Sequence, residues 1–333
     1  MRVSLLCASL LFVVSLAGGK ASEEPSSPGA TRGRSRGKSP GESMAPVPLN
    51  PQRTVLLDRA GKRVLLKAKV CARDRILEML CCLARTKEHE SILALDAKAA
   101  VVHAALLAIG ARQGTAVRHY KEVAPGKIVP DFKPPTGQRI AVFLQWKNKK
   151  GVPRRVRAQK WVRRATGRYF SAPLAQLPDS VVLPKEPELV FDKKNKELVF
   201  FGTMTASQRD VLQKLSSDAA YRKAVSAIHT ASQPTEMRAH WVFAGSGFVV
   251  NMQTKKRVYL AENGNVICVA NFPSALLDVA QQSSDKGSNL LYEAYSDRIP
   301  PVGTDVLIEL IPEEDPVGKD VPPPPPAPRN LER

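Results

Sequence analysis

Between Ala97 and Ile109 only Lys98 and His103 are polar. A helix this apolar must be buried around most of its circumference. Asp96 can cap its first turn and Gly110 can end it in the left-handed conformation, so the pattern predicts a buried helix over 97–109. The preceding Ser91-Ile92-Leu93-Ala94-Leu95 reads as a buried strand that passes at once into that helix.

The rest of the middle of the chain is richer in strand than in helix. Val55-Leu56-Leu57 and Val64-Leu65-Leu66 flank the polar stretch 58–63 and predict a hairpin. The same layout recurs as Leu189-Val190-Phe191 and Leu198-Val199-Phe200 around 192–197, which raises a duplication of two halves, about 53–180 and 185–312. Convergent turn chemistry explains the likeness about as well. Further strands are expected at Ile140–Trp146, Val152–Val162, Trp241–Val250, Arg257–Ala261, Val266–Ala270 and Val306–Ile311, with Asn263-Gly264 as a tight turn. A second helical region spans 206–228, and Ser216-Ser217-Asp218 can break it in two. The fold class is α+β, with mixed, mostly antiparallel sheets.

The ends read differently. Arg2, the uncharged run Val3–Leu16 and the small residues after it match a secretory signal, with cleavage expected near residue 19 or 21. Residues 22–52 are rich in Pro, Gly and Ser and lack apolar periodicity, so they read as a disordered linker. Pro322–Pro326 predicts a stiff extended tail within 313–333. The folded part is therefore 53–312 of 333 residues. A 43% hydrophobic composition excludes full disorder, and 5 cysteines are too few for a disulfide-dense miniprotein. Outside the first 20 positions no run of about 18 apolar residues occurs, which argues against a polytopic membrane protein.

Several local motifs then carry a resemblance. Val70-Cys71, Thr86–Ile92, Val102–Leu107, Ala158-Gln159 with Trp161, Trp241–Ser246, Ile267–Val269 and Asn271–Pro273 occur in one order over about 55–312. Together they resemble the YdjY-type domain of exported bacterial proteins. That resemblance implies little about activity. A ferredoxin-like label attached to the family would imply an iron–sulfur cluster, but this chain has no Cys-x-x-Cys, and a cluster needs four thiolates at compatible spacing. No cofactor is expected. In an oxidising compartment the cysteines favour pairing, and the nearest bridge joins Cys71 to Cys81 or Cys82.

The sharpest cluster for chemistry is Glu88-His89-Glu90-Ser91, which offers two carboxylates, an imidazole and a hydroxyl before a buried strand. With His103 it frames one reading, a metal-dependent or hydrolytic enzyme. Alternation along an extended segment sends His89 away from Glu88 and Glu90, and no His-Glu-x-x-His or spaced triad is present. No metal ligand or catalytic residue is therefore assigned. Gly245-Ser246-Gly247 is followed by Phe248-Val249-Val250 and not by a helix, so it predicts a bulge or close crossing and not a phosphate cradle.

Charge supports the other reading. The chain has 50 Lys+Arg against 31 Asp+Glu, a net +19. From Phe132 to Pro178 there is no acidic residue, and Lys147, Lys149, Lys150, Arg154, Arg155, Arg157 and Lys160 cluster about one expected turn. Such a surface suits an anionic polymer or an anionic membrane surface, and export argues against genomic nucleic acid. The sequence thus favours an exported, non-enzymatic interaction module.

Overall fold

In the computed structural model, residues 45–186, 189–283 and 290–314 are described. The expected signal peptide, most of the linker and the proline tail lie outside them. Ten elements position the sites discussed below. They are β1 (Val55–Asp58), β2 (Arg63–Val70), β3 (Met79–Leu83), β4 (Ser91–Leu95), α1 (Ala99–Ala108), β5 (Arg139–Lys147), β6 (Pro153–Arg157), α2 (Ala206–Gln213), α3 (Ala219–Ser232) and β7 (Asp305–Pro312).

The spine of the molecule is one large sheet, ordered β3-β4-β2-β7-β5. Ile267–Cys268 extends it beyond β3, and Trp241–Val242 then Asp278–Val279 extend it beyond β5. β1 and β6 form hairpins with β2 and β5. Only β3 and β4 run parallel among the described pairs of this sheet. Along β2, Val64, Leu66, Ala68 and Val70 point into the core, while Lys67 and Lys69 stand on the opposite, exposed face. This alternation follows from the two-residue period of a strand.

The core lies between the inner sheet face and α1, with Trp161, Trp241 and Phe243 closing it. α1 is shorter than the 97–109 expected, and it is buried on one side only. Val102, Ala105 and Leu106 are buried, but Ala100, Ala104 and Leu107 face solvent. The missing polar face is made of alanine, which an exposed helix tolerates well.

A second core sits among Phe170, Leu198, Phe200, Leu212, Tyr221 and Ile228. It joins a three-stranded sheet (Tyr169–Pro173, Leu189–Asp192, Glu197–Phe201) to α2 and α3. The helical region 206–228 is thus two helices, the second reaching Ser232. Thr205 caps α2 in a reciprocal capping box with Gln208, and Asp218 caps α3.

Other boundaries move as well. Val47–Pro48 pairs with β1, and Glu313 N–H bonds Arg139 O at 2.9 Å, so the fold extends beyond 53–312 at both ends. The 152–162 segment is β6, a turn of 3-10 helix at Ala158–Trp161, and a short strand at Val162–Arg164. The 241–250 run is two short strands separated at 243–247. Asn263 ends a 3-10 turn and Gly264 is left-handed, but the flanking strands pair elsewhere, so no tight hairpin forms there. The two look-alike hairpins occupy different sheets with different neighbours, and strands from both halves enter the large sheet. The hairpins share a register, Asp58 to Arg63 and Asp192 to Glu197, and a turn in which each Asp accepts from the amide three residues on, so the likeness is one of local turn chemistry.

Candidate functional site

Parallel neighbours are normally joined by about a dozen residues or more. Here residues 84–90 alone carry the chain from β3 back to the start of β4, so the crossover is held tightly against the sheet. Thr86 Oγ1 donates to Leu83 O at 2.6 Å, Ser91 Oγ donates to Lys87 O at 2.7 Å, and the Glu88 carboxylate accepts from Arg85 N–H. The stretch Glu88–Glu90 coils into a 3-10 turn, so the extended geometry expected there does not apply.

Within this crossover the sequence cluster separates. Glu88 is spent on the Arg85 backbone. His89 points outward with 75% of its side chain exposed, 3.8 Å from Glu90. Glu90 turns the other way and shares Lys87 with Glu78, at 3.2 and 3.0 Å from Lys87 Nζ. Phe272 lies under the same ammonium group, 4.8 Å from its ring centre. Burial, and then the hydrogen bond to Glu90, raises Glu78 above the usual carboxylate range against the pull of Lys87. Burial opposes the charge on Lys87, but Glu78 and Glu90 outweigh it and raise its pKa. Neither Glu78 nor Lys87 stood out in the sequence, because their pairing depends on a parallel register that no spacing reveals.

His103 does not join this cluster. Its Nδ1 lies 2.8 Å from Tyr259 Oη, and its ring meets Phe243 and Tyr259 edge-on at 5.0 and 5.5 Å. Burial lowers its pKa. It is a packing histidine on α1. Among the described residues no three His, Cys, Asp or Glu side chains converge as metal ligands. The enzyme reading therefore loses its second imidazole.

Among the described residues Cys71, Cys81, Cys82 and Cys268 are free thiols. Cys71 meets Cys82 and not Cys81, which points into the α1 core. The Cys71 thiol holds Cys82 below the ordinary thiol range, against the burial that raises it. No bridge joins Cys71 to either neighbour.

The basic segment forms the expected hairpin. Asn148 Oδ1 accepts from Lys150 N–H and Val152 N–H, both at 3.0 Å, and Gly151 takes a positive φ of 74° to close the turn between β5 and β6. Its seven cations play two different roles. Arg155 grips Glu309 with Nε and an η nitrogen, both at 3.0 Å, and lies 3.7 Å over the Phe143 ring. Arg157 pairs with Glu313 and Lys160 with Glu236, each at 3.4 Å. These three are structural. Lys147, Lys149, Lys150 and Arg154 are exposed and have no ion pair among the described residues.

Of these, Lys147 and Arg154 line an open trough of about 870 Å³ on the outer sheet face, together with Lys67, Ala94, Gln145 and Leu307 among others. A smaller hollow of about 420 Å³ adjoins it at Lys147 and contains Lys149, Arg73 and Arg298. The trough is mostly apolar, and Lys67, Lys147 and Arg154 stand on it with Asp96 and a Lys69–Asp305 ion pair.

Residues 55–176 match the family model described as the YdjY domain. The match takes in β1 to β6, α1, the 84–90 crossover and the basic hairpin. It stops short of the motifs at 241–246, 267–269 and 271–273. No curated protein and no solved structure matches the chain.

Proposed function

We propose that this chain, a member of the YdjY domain family through residues 55–176, is an exported, non-enzymatic module that binds an anionic polymer along the β5–β6 hairpin. One observation carries the reading. Lys147, Lys149, Lys150 and Arg154 remain unneutralised about the β5–β6 turn, with Lys147 and Arg154 on an open trough and Lys149 on the hollow beside it, although neighbouring cations Arg155, Arg157 and Lys160 are all drawn into ion pairs. Exposed unpaired cations clustered around a concave surface raise the local potential and attract polyanions. Export rests on the Arg2 and Val3–Leu16 pattern. No helix of the described residues is long and apolar enough to cross a membrane.

The test is retention on immobilised heparin. Screening over about 10 Å at 0.1 M salt means that several contacts must act together, so elution should depend steeply on salt. Replacing Lys147, Lys149, Lys150 and Arg154 together with Gln should move elution to clearly lower salt at an unchanged melting temperature. Arg155 is left intact because it holds the sheet face together. Elution at the wild-type salt concentration would refute this site.

A further inference from the structure

A second hairpin is unlike the rest of the surface. The strands Phe248–Val250 and Arg257–Tyr259 pair only with each other, in the register Phe248 to Tyr259 and Val250 to Arg257. Every residue from 248 to 258 is exposed. Phe248, Val249, Val250, Met252 and Val258 are exposed by 55, 47, 52, 74 and 41%. A strand reading Phe-Val-Val is normally covered on one face at least, and contiguous exposed apolar groups of this kind mark an interaction surface.

The tip is built to hold its shape. Asn251 N–H bonds Lys256 O at 2.9 Å, Lys255 N–H bonds Asn251 O at 2.8 Å, and Asn251 Oδ1 accepts from Gln253 and Thr254. At the root Tyr259 is buried, and its hydroxyl donates to Gly245 O at 3.0 Å beside His103. The apolar tip is thus presented from a fixed base.

Charge says what covers it. Residues 248–258 contain no acid, and Lys255, Lys256 and Arg257 lie between Met252 and Val258 on the returning side of the hairpin. Lys255 and Lys256 have no ion pair among the described residues, and Arg257 lies over the Phe248 ring at 4.5 Å. A self-association surface would set three cations against three more around a two-fold axis, which is repulsive. Apolar side chains beside several cations match an anionic bilayer instead: the apolar groups enter the headgroup boundary and the cations meet lipid phosphates.

We propose that the 248–259 hairpin docks the protein on anionic lipid surfaces. Because the site is separate from the β5–β6 hairpin, the two readings stand or fall separately.

The experiment is co-sedimentation of the exported protein, its N-terminus verified, with phosphatidylcholine vesicles that contain or lack phosphatidylglycerol. Binding is expected only to the anionic vesicles. Lys255→Gln with Lys256→Gln should weaken it by roughly tenfold or more, from the loss of two surface charges. Val249→Asp with Met252→Asp should abolish it, and because both side chains are exposed the melting temperature should hold. The variant with Gln at Lys147, Lys149, Lys150 and Arg154 should keep vesicle binding while losing heparin retention. Three results would overturn the proposal: no binding to the anionic vesicles, wild-type binding by Val249→Asp with Met252→Asp, or a dimer in solution that this variant dissociates.

Discussion

Arg155 on β6 meets Glu309 on β7 across the intervening β5, on a carboxylate with no solvent exposure of its own. Arg63 reaches the same group from β2 at 3.1 Å, and Gln145 donates to it from β5. Burial raises the pKa of Glu309, but Arg155 and Arg63 outweigh it and lower the pKa below the usual carboxylate range. A buried charge removed from water is tolerated only when its partners are complete.

Arg155→Gln should therefore reduce stability, by about 1–3 kcal/mol, less than for a fully buried pair because Arg155 is half exposed and Arg63 remains. Denaturant melts read this directly. The folded-state pKa of Glu309 is depressed, so its contribution is complete above the unfolded value of about 4.3 and fades as pH falls through the folded one. The gap between variant and wild type should narrow below pH 4. A variant as stable as wild type at pH 7 would show that Arg155 is free to bind ligands, as the sequence alone suggested.

Asp278 is the reverse case. It is fully buried, its Oδ1 accepts from Asn271 Nδ2 at 3.1 Å and Val279 N–H at 2.8 Å, and its Oδ2 has no partner. Burial raises its pKa well above the ordinary value despite those bonds. An acid raised on folding must take up a proton to fold at neutral pH, so it costs stability as pH rises above the unfolded value of about 3.9. Asp278→Asn should melt above wild type at pH 7, and the two should converge near pH 4. A variant that melts below wild type at pH 7 would place an ionised carboxylate there.

Most differences between the sequence reading and the structure share one cause. Periodicity located β2, β4, β5, β7 and the turn at Asn148–Gly151, because each is a local matter of alternation or backbone geometry. Partners distant in sequence are invisible to it. Seven hairpin cations looked alike, and only Glu309, Glu313 and Glu236, which follow some 75 residues or more later, divide them into structural and free. Glu78 and Lys87 escaped notice because the short parallel crossover folds them together. Helix α1 read as buried around most of its circumference because alanine counts as apolar and yet tolerates solvent. Grouping His103 with Glu88–Ser91 failed because a helix following a strand carries its side chains toward other neighbours, here Tyr259 and Phe243.

Burial lowers the pKa of His103, which gives the acid side of the stability curve a second component. A histidine depressed on folding is protonated first in the unfolded chain, so stability is lost as pH falls below the unfolded value of about 6.5. His103→Gln should flatten the fall between pH 7 and pH 5. Separately, His103→Asp should cost about 2–3 kcal/mol by setting a carboxylate among the Phe243 and Tyr259 rings. Unchanged pH dependence in His103→Gln would show that the ring is solvated.

The last prediction concerns how the crossover is locked. Gly264 has a φ of 115°, a left-handed conformation that side chains rarely adopt. A Cβ added there would stand 2.5 Å from Thr86 Oγ1 and 3.0 Å from Thr86 Cβ, inside contact distance. Thr86 cannot retreat freely, because its hydroxyl is bonded to Leu83 O at the end of β3. Gly264→Ala therefore combines backbone strain with a clash against the crossover, and should cost about 1–3 kcal/mol. Thr86→Ala removes the hydroxyl oxygen that the added carbon meets first, and loses the Leu83 bond in doing so. Combined with Gly264→Ala, it should cost less than the two separate losses together, and a double-mutant cycle measures how much less. Strictly additive losses would mean that Gly264 and Thr86 do not press on each other, and that backbone strain alone explains the glycine.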